Sequence, residues 1–401
     1  MNKIETLIKE LCPNGVELEE IGKIIDYEQP TKYLVSSKEY NDNYELPVLT
    51  AGQTFILGYT NETEGIYQAS KENPVIIFDD FTTSKKWVDF NFKVKSTAMK
   101  ILKVKSGVSN ILIRYVWHYL GTITYSPDQH GRQWISTYSK FKIPIPPLEV
   151  QEEIVKILDK FTDYVTELNT ELNLRQKQYN YYRDKLLSFE NQCYKVVWRN
   201  LGDVATFNYG YTAKASESGE VRFIRITDIN ENGYLKVSDQ KYIQSFTDVE
   251  KYFVKKGDLL MARTGATYGK TVYYDSDDNA VYASFLIKIS PNPELNSRYY
   301  WHFSKSNLYW NQADKLVSKA GQPQFNANSL KNIKIPIPSL EIQSRIVQVL
   351  DNFDAVCNDL NIGLPKEIEL RQKQYEFFRD KLLTFAAEGV YTDSTVQTRH
   401  N

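Results

Sequence analysis

The stretch Arg-Thr-Gly-Ala-Thr-Tyr-Gly-Lys-Thr at residues 263–271 ends in the Gly-Lys-Thr of a phosphate-binding loop. Such a loop needs four residues between its first glycine and the Gly-Lys pair, so that successive backbone N–H groups wrap the phosphates. Here Gly265 and Gly269 enclose only three residues, and Thr264 stands where the first glycine belongs. The flanks also disagree, because a P-loop must open a helix. "KKGDLLMA" before it reads as a turn and a strand, and "TVYYDSDD" after it is rich in β-branched and aromatic residues. Nucleotide hydrolysis is therefore not the reading. Arg263, Lys270 and the hydroxyls of Thr264, Thr267 and Thr271 remain suited to another polyanion, with Tyr268 a further binding candidate in the same stretch. Two readings stand for this stretch, a glycine-rich DNA-facing turn and a plain hairpin.

No catalytic constellation is present. The chain has no NPPF or DPPY signature of an adenine methyltransferase, no GxGxxG after a strand and no HExxH. Asp79 and Asp80 are adjacent carboxylates, but no spaced Glu-x-Lys accompanies them, and the pair reads as an exposed turn rather than a metal site. Four unclustered histidines leave little general-base chemistry. Cys12, Cys193 and Cys357 are widely spaced, with no CxxC or Cys/His pairing, which points to neither a disulfide frame nor zinc and fits a reducing cytoplasm.

Binding chemistry is better represented. Two loops, "HGRQWIS" (130–136) and "AGQPQFNANSL" (320–330), each precede a repeated "IPIP". Gln and Asn side chains and Arg can contact base edges bidentately, with an aromatic ring making apolar contact beside them. The candidates are Arg132, Gln133 and Trp134 in the first loop and Gln322, Gln324 and Asn326 in the second. The "TTSKKW" stretch adds Thr82, Thr83, Lys85 and Lys86, suited to phosphates.

The elements that position these residues are written twice. "IPIPPLEVQEEIVKILDKF" (143–161) returns as "IPIPSLEIQSRIVQVLDNF" (335–353), and "LRQKQYNYYRDKLLSF" (174–189) returns as "LRQKQYEFFRDKLLTF" (370–385). A fainter echo pairs "VELEEIGKI" (16–24) with "VVWRNLGDV" (196–204). Residues 25–130 and 205–320, by contrast, look unlike one another. In the repeats, apolar residues recur in steps of three and four from Ile154 through Leu158, Phe161, Val165, Leu168, Leu172, Tyr179, Tyr182 and Leu186 to Phe189. Such a heptad stripe predicts a long helix packed on another. The second copy keeps the stripe from Ile346 to Phe385, with four extra residues that include Gly363 and Pro365, where a break or kink is expected. Like units in one chain suggest a pseudo-two-fold arrangement with the two helices antiparallel. A helix of about 40 residues spans roughly 60 Å. The regions between the repeats alternate short β-rich runs such as "NPVIIFDDF" and "AVYASFLIKI" with helix-like stretches around "NILIRYVWHYLG" and "SRYYWHFSKSNLYWNQADKL", so each reads as a mixed α/β domain.

Bulk properties agree. At 401 residues the chain has room for two or three cores. No apolar run approaches the roughly 20 residues of a membrane span, and the N-terminus is not a secretory signal. The net charge of −1 hides segregation: Asp79 to Lys142 carries eleven basic residues against four acids (+7), and Glu149 to Glu171 two against seven (−5).

The paired "IPIP(P/S)LE(V/I)Q" helix starts, the "LRQKQY…RDKLL" helix ends, "GDLLMARTGATYGK" and "ELCPNGVELEEIG" resemble the specificity subunit of type I restriction–modification systems over nearly the whole chain. The resemblance implies two mixed α/β target recognition domains, each reading one half of a bipartite, asymmetric DNA site, separated by two long antiparallel helices. It divides the chain into a conserved segment at 1–20, recognition domains at 21–146 and 191–338, a central helix at 147–190, and a distal helix and tail at 339–401 broken near 361–365. It implies docking of two methyltransferase and two restriction subunits, with S-adenosylmethionine, ATP and magnesium held by those partners and no cofactor or metal in this chain. It also implies a non-catalytic, cytoplasmic protein. A related system with a fused methylase–nuclease partner, and a coiled-coil scaffold that binds no DNA, are the competing readings.

Overall fold

The computed structural model describes residues 2–51, 54–125, 127, 131–190, 196–244, 250–318 and 321–384. His130, Cys193, Ala320 and Phe385, named above, lie outside the described residues. The chain forms two compact units, one from Met1–Thr166 with Glu369–Asn401 and the other from Glu167–Ile368.

In the first unit, a four-stranded antiparallel sheet runs in the order Ile25–Glu28, Met99–Val104, Val75–Asp79, Lys85–Val88. A three-stranded sheet has Leu46–Leu49 at its centre, antiparallel to Ile56–Thr60 and parallel to Lys93–Val94. The Val75–Asp79 strand is buried along its whole length, so it runs apolar from Val75 to Phe78 rather than alternating. The second unit has the same plan. Its four-stranded sheet runs Ala205–Tyr209, Leu286–Pro291, Leu259–Ala262, Thr271–Tyr273. Its three-stranded sheet centres on Val221–Ile224, antiparallel to Tyr242–Ile243 and parallel to Ala280–Tyr282. The two regions that look unlike in sequence therefore share one topology. A sheet requires only strand register and burial, and many apolar sets satisfy that.

The repeated motifs fold identically. Lys142–Ile145 pairs antiparallel with Glu17–Glu20, and Lys334–Ile337 with Val197–Asn200. These ladders have only two strands, so prolines that cannot donate are tolerated on the free edge. The Gln of each "LE(V/I)Q" is fully buried. Gln151 donates to the carbonyls of Pro146 (2.8 Å) and Asn110 (2.9 Å) and accepts from the Leu112 amide (2.9 Å). Gln343 does the same with Pro338, Glu294 and Asn296. Each glutamine thus ties the helix start to the segment entering the unit's own helix at 113 or 297.

The central helix is unbroken from Leu148 to Ser188. The distal one is two helices, Leu340–Asn358 and Leu364–Leu383. The break falls at Gly363, where a Cβ would approach the Ala355 and Asp359 carbonyl oxygens to 2.5 and 2.6 Å. In the first unit Phe161 stacks on Phe378 (5.2 Å between ring centres), and Arg371 lies over Tyr164, so these two helices run antiparallel. In the second, Tyr182 stacks on Phe353 at 5.5 Å. The expected seam is not uniformly covered. Leu360 is 62% exposed because it falls in the break, and Arg183 and Leu187 are buried towards the sheet domain while Tyr182 is on the exposed side.

Candidate nucleic-acid interface

In each unit the turn after the central strand meets the loop before the "IPIP" strand. In the first unit, Thr83 closes the turn at φ +60°, a left-handed conformation that a β-branched residue seldom adopts. Asp79 holds the turn, accepting from the Phe81 amide (3.0 Å) and the Thr82 hydroxyl (2.5 Å). Asp80 fastens the loop: its carbonyl accepts from the Gln133 amide and its carboxylate from the Trp134 amide, both at 2.9 Å. Behind it the Lys100 ammonium lies 3.5 Å from Asp80 and donates to Gln29. Asp79 and Asp80 are buried, so the expectation of an exposed turn is corrected. Asp79 is spent on the turn and Asp80 Oδ1 on the loop, while Asp80 Oδ2 has no hydrogen-bond partner among the described residues and faces the Lys100 ammonium.

In the second unit, residues 263–271 form the hairpin turn itself, with only one three-residue helical turn at Gly265–Thr267. The Phe325 amide donates to the Arg263 carbonyl (2.8 Å), the Gly265 amide to Pro323 (3.1 Å), and the Gln324 amide side chain to the Thr264 hydroxyl (2.8 Å). Gly265 is favoured by its φ of +73°, a left-handed conformation that other residues seldom adopt. The turn and the 321–326 loop are thus one surface.

The sequence candidates divide sharply by exposure. Thr82, Lys86, Arg132, Gln322 and Asn326 are exposed. Arg263 is half-buried, donating to the Ser284 carbonyl (2.9 Å) with its guanidinium beside the Tyr209 and Phe285 rings. Tyr268 is half-buried and donates to Asp314 (2.6 Å), while Thr267 and Lys270 flank it. Four placements are corrected. Trp134 is 1% exposed and packs edge-on against Phe78, so it is a core residue. Gln133 is buried, donating to the Gly131 carbonyl (3.0 Å) and accepting from the Tyr125 hydroxyl (3.1 Å), which occupies both ends of its amide. Thr83 and Thr264 are buried as well. Lys85 donates to the Leu120 carbonyl (2.5 Å), and burial, aided by Arg379, lowers its pKa to about 8. Asn326 caps the helix Ala327–Lys331 by accepting from the Ser329 amide (3.0 Å). The unanticipated exposed neighbours are Phe81 and Ile135 in the first unit and Tyr209 and Phe285 in the second.

Sequence reasoning also missed the device that mounts each recognition surface on its helices. His118 is fully buried, with Nδ1 3.0 Å from the Tyr375 hydroxyl and Nε2 2.8 Å from Asp159. Arg114 donates to the same carboxylate (2.7 Å) while its guanidinium stacks over Trp87 and Trp117. In the second unit His302 lies 3.0 Å from the Tyr179 hydroxyl and 2.8 Å from Asp351. There Arg298 donates to Asp351 (2.8 Å) and stacks over Trp301 and Tyr273. Burial lowers the pKa of both histidines, that of His302 to about 4, so both rings are neutral. Because a carboxylate only accepts, Nε2 carries the proton and Nδ1 accepts from the tyrosine. Burial opposes ionisation of Asp159 and Asp351, but the histidine and arginine hydrogen bonds hold both below the usual aspartate value. Each neutral histidine therefore joins two long helices to its domain. The signal was available as Arg-Tyr-x-Trp-His at 114–118 and again at 298–302. Among the described residues, no group of three or more His, Cys, Asp or Glu gathers as for a metal ion, and no helix is long and apolar enough to cross a membrane.

Comparison with known proteins agrees with this architecture. The family model for the type I restriction modification DNA specificity domain matches twice, at residues 13–175 and 195–370. The Escherichia coli EcoR124I/EcoR124II specificity subunit is 43% identical, over 93% of this chain and 95% of its own. Among solved structures, the type I restriction–modification S subunit from M. genitalium matches with a TM-score of 0.58 at 15% identity, covering 92% of this chain and 97% of that one. A chain from a type I R-M system solved in a study of complex assembly matches at 0.51 and 17% identity, covering 92% and 98%. With both halves matched by the family model and a full-length relative at this identity, the chain belongs to the specificity subunits of type I restriction–modification systems.

Proposed function

We propose that this chain reads a bipartite, asymmetric DNA sequence, one half with each unit, and carries no catalytic step itself. The observation that carries the reading is the pairing, in both units, of a hairpin turn with the pre-helical loop into one exposed polar surface. The half-site readers are Arg132 with Thr82 and Lys86 in the first unit, and Gln322, Asn326, Arg263 and Lys270 in the second. Arg132 and Gln322 have the exposure and the bidentate chemistry that base edges require. Lysines and hydroxyls supply the phosphate contacts that set register. Thr267 and Tyr268 belong to the second surface by position.

The helices serve as spacer and as docking surface for two methyltransferase subunits, with two restriction subunits joining the assembly. Exposed apolar side chains on them, among them Leu174, Tyr181, Val349, Leu370 and Phe377, support a protein-binding role. S-adenosylmethionine, ATP and magnesium are assigned to those partners, and the complex to the cytoplasm. The test is the purified chain alone. It binds duplex DNA with an affinity that falls as salt rises, and it neither hydrolyses ATP nor transfers methyl groups. Salt-independent or absent DNA binding would leave the protein scaffold as the better reading, and turnover by the pure chain would refute the non-catalytic one.

A further inference from the structure

The second unit contains a cavity of about 470 Å³ beside its hairpin, lined by Arg183, Lys270, Lys305, Asn180, Asn232 and Trp310, among others. Three cations on three different elements face one space. Lys270 ends the hairpin turn, Lys305 follows the helix Ser297–Phe303, and Arg183 comes from the central helix. The acids that face them are Glu231 in the lining, Asp354 at 3.4 Å from the Lys305 ammonium, Asp184 on the Arg183 guanidinium, and Asp351, close enough to Lys305 to favour its charged form.

These acids do not exhaust the donors. Arg183 spends its bonds on Asp184 and on Asn180 (2.8 Å), which leaves N–H groups of its five unused. Lys305 has one carboxylate contact and lies 3.2 Å from the centre of the Trp301 ring. Lys270 has no side-chain partner among the described residues. Burial, with Arg298 and Arg183 close by, holds the Lys305 pKa well below the usual lysine value. Burial likewise raises Asp354 to about 7, which weakens the one acid closest to it. Donors on Arg183 and Lys270 thus face the cavity unused, and an anion entering it would favour the charged form of Lys305 that burial opposes.

The first unit keeps the arginine, as Arg379 beside Gly121, but has no counterpart of Lys305. Aligning the two Arg-Tyr-x-Trp-His segments puts Gly121 where Lys305 stands and Leu120 where Ser304 stands. There the Lys85 ammonium is already spent on the Leu120 carbonyl (2.5 Å). A cavity in the range that holds small ligands, with an aromatic wall, suits a nucleotide's sugar and phosphate better than a lone oxyanion.

We propose that Arg183, Lys270 and Lys305 form a phosphate-binding site in the second unit, and that its occupant is a backbone phosphodiester of DNA next to the half-site this unit reads. The proposal rests on the DNA-binding reading for its occupant but not for the site. It makes the two half-sites unequal, with the second held by a buried phosphate contact that the first does without.

The test uses the full chain and a 30-base-pair duplex, with the slope of log affinity against log salt measured for wild type, Lys270→Gln and Lys270→Gln/Lys305→Met. Each cation removed is expected to lower the slope by about one. In parallel, inorganic phosphate is titrated at fixed ionic strength while Tm is recorded. Loss of slope with no effect of phosphate on Tm supports the DNA phosphodiester. An unchanged slope, with phosphate raising the Tm of the wild type but not of the variants, keeps the site and assigns it free phosphate. Unchanged slopes together with no phosphate effect overturn the proposal. Should the wild type fail to bind duplex at all, the DNA-recognition reading falls, while the phosphate titration still decides the site. If Lys305→Met does not fold, Lys270→Gln suffices, because among the described residues its side chain has no partner to lose.

Discussion

Replacing Tyr179 by Phe removes one oxygen atom and no apolar contact, and so isolates the bond that ties the central helix to the second unit. Tyr179 is 5% exposed, and its hydroxyl donates to His302 Nδ1 at 3.0 Å. The variant leaves that nitrogen, in a fully buried ring, without a donor. The loss of one neutral hydrogen bond and the cost of an orphaned buried acceptor together amount to about 1–3 kcal/mol. Asp351 keeps both its bonds, from His302 Nε2 and from Arg298, so the charged part of the cluster is undisturbed. Read by hydrogen exchange, a local loss of that size accelerates amide exchange in residues 297–303 and 172–188 by about 5- to 150-fold. Tyr375→Phe makes the corresponding change at His118, and its effect belongs to residues 113–120 and 369–383. The two sites share no partner, so the double variant's losses add within about 0.5 kcal/mol. Unchanged protection in Tyr179→Phe, or an effect spread equally over both units, would refute the view that each histidine mounts its own unit on the helices.

Three further outcomes follow from the geometry. The buried, neutral His118 has a folded-state pKa below the usual histidine value, so the unfolded chain binds more protons as pH falls through the histidine range; the first unit therefore loses stability on acidification towards pH 5, a dependence that calorimetry should find flattened in His118→Gln. Gln133→Ala is expected to destabilise the first unit by about 1–3 kcal/mol, since it removes a buried side chain that bonds the Gly131 carbonyl and the half-buried Tyr125 hydroxyl, whereas Gln322→Ala should leave stability unchanged and cost a similar amount of discrimination at one half-site only; the reverse pattern in denaturation and binding assays would contradict the assignment. Inserting four helical residues after Leu172 lengthens the central helix by about 6 Å, so the preferred gap between half-sites should grow by about one or two base pairs while the half-sites stay the same, and an unchanged gap would mean that the helix is not the ruler.

The large features were legible because they are periodic or repeated. The heptad stripe gives the Leu148–Ser188 helix, and Gly363 with Pro365 marks the break before Leu364. The hairpin at 263–271 was legible as a departure from a P-loop, since strand-like flanks cannot open a helix. Burial within loops was not legible. "HGRQWIS" looks like an exposed reader, yet Asp80 draws the Gln133 and Trp134 amides inward and turns the indole into the core. Nothing in the local pattern announces that, because the partner is 54 residues away. The shared sheet topology was hidden for a different reason, since register constrains backbone pairing while leaving apolar identities free. The histidine cluster joins residues from three helices, so only alignment of the two Arg-Tyr-x-Trp-His segments with the repeated Asp and Tyr positions would have exposed it.

Two recognition units acting on one split site is the central claim, and genome-wide adenine methylation tests it most directly. Methylation is mapped in a host carrying this gene beside its partner methyltransferase, and again after the gene alone is deleted. The account predicts one interrupted, asymmetric motif, two short specific blocks around a gap of unspecified bases, present with the gene and lost without it. A continuous or palindromic motif, or methylation that persists when the gene is gone, would contradict it.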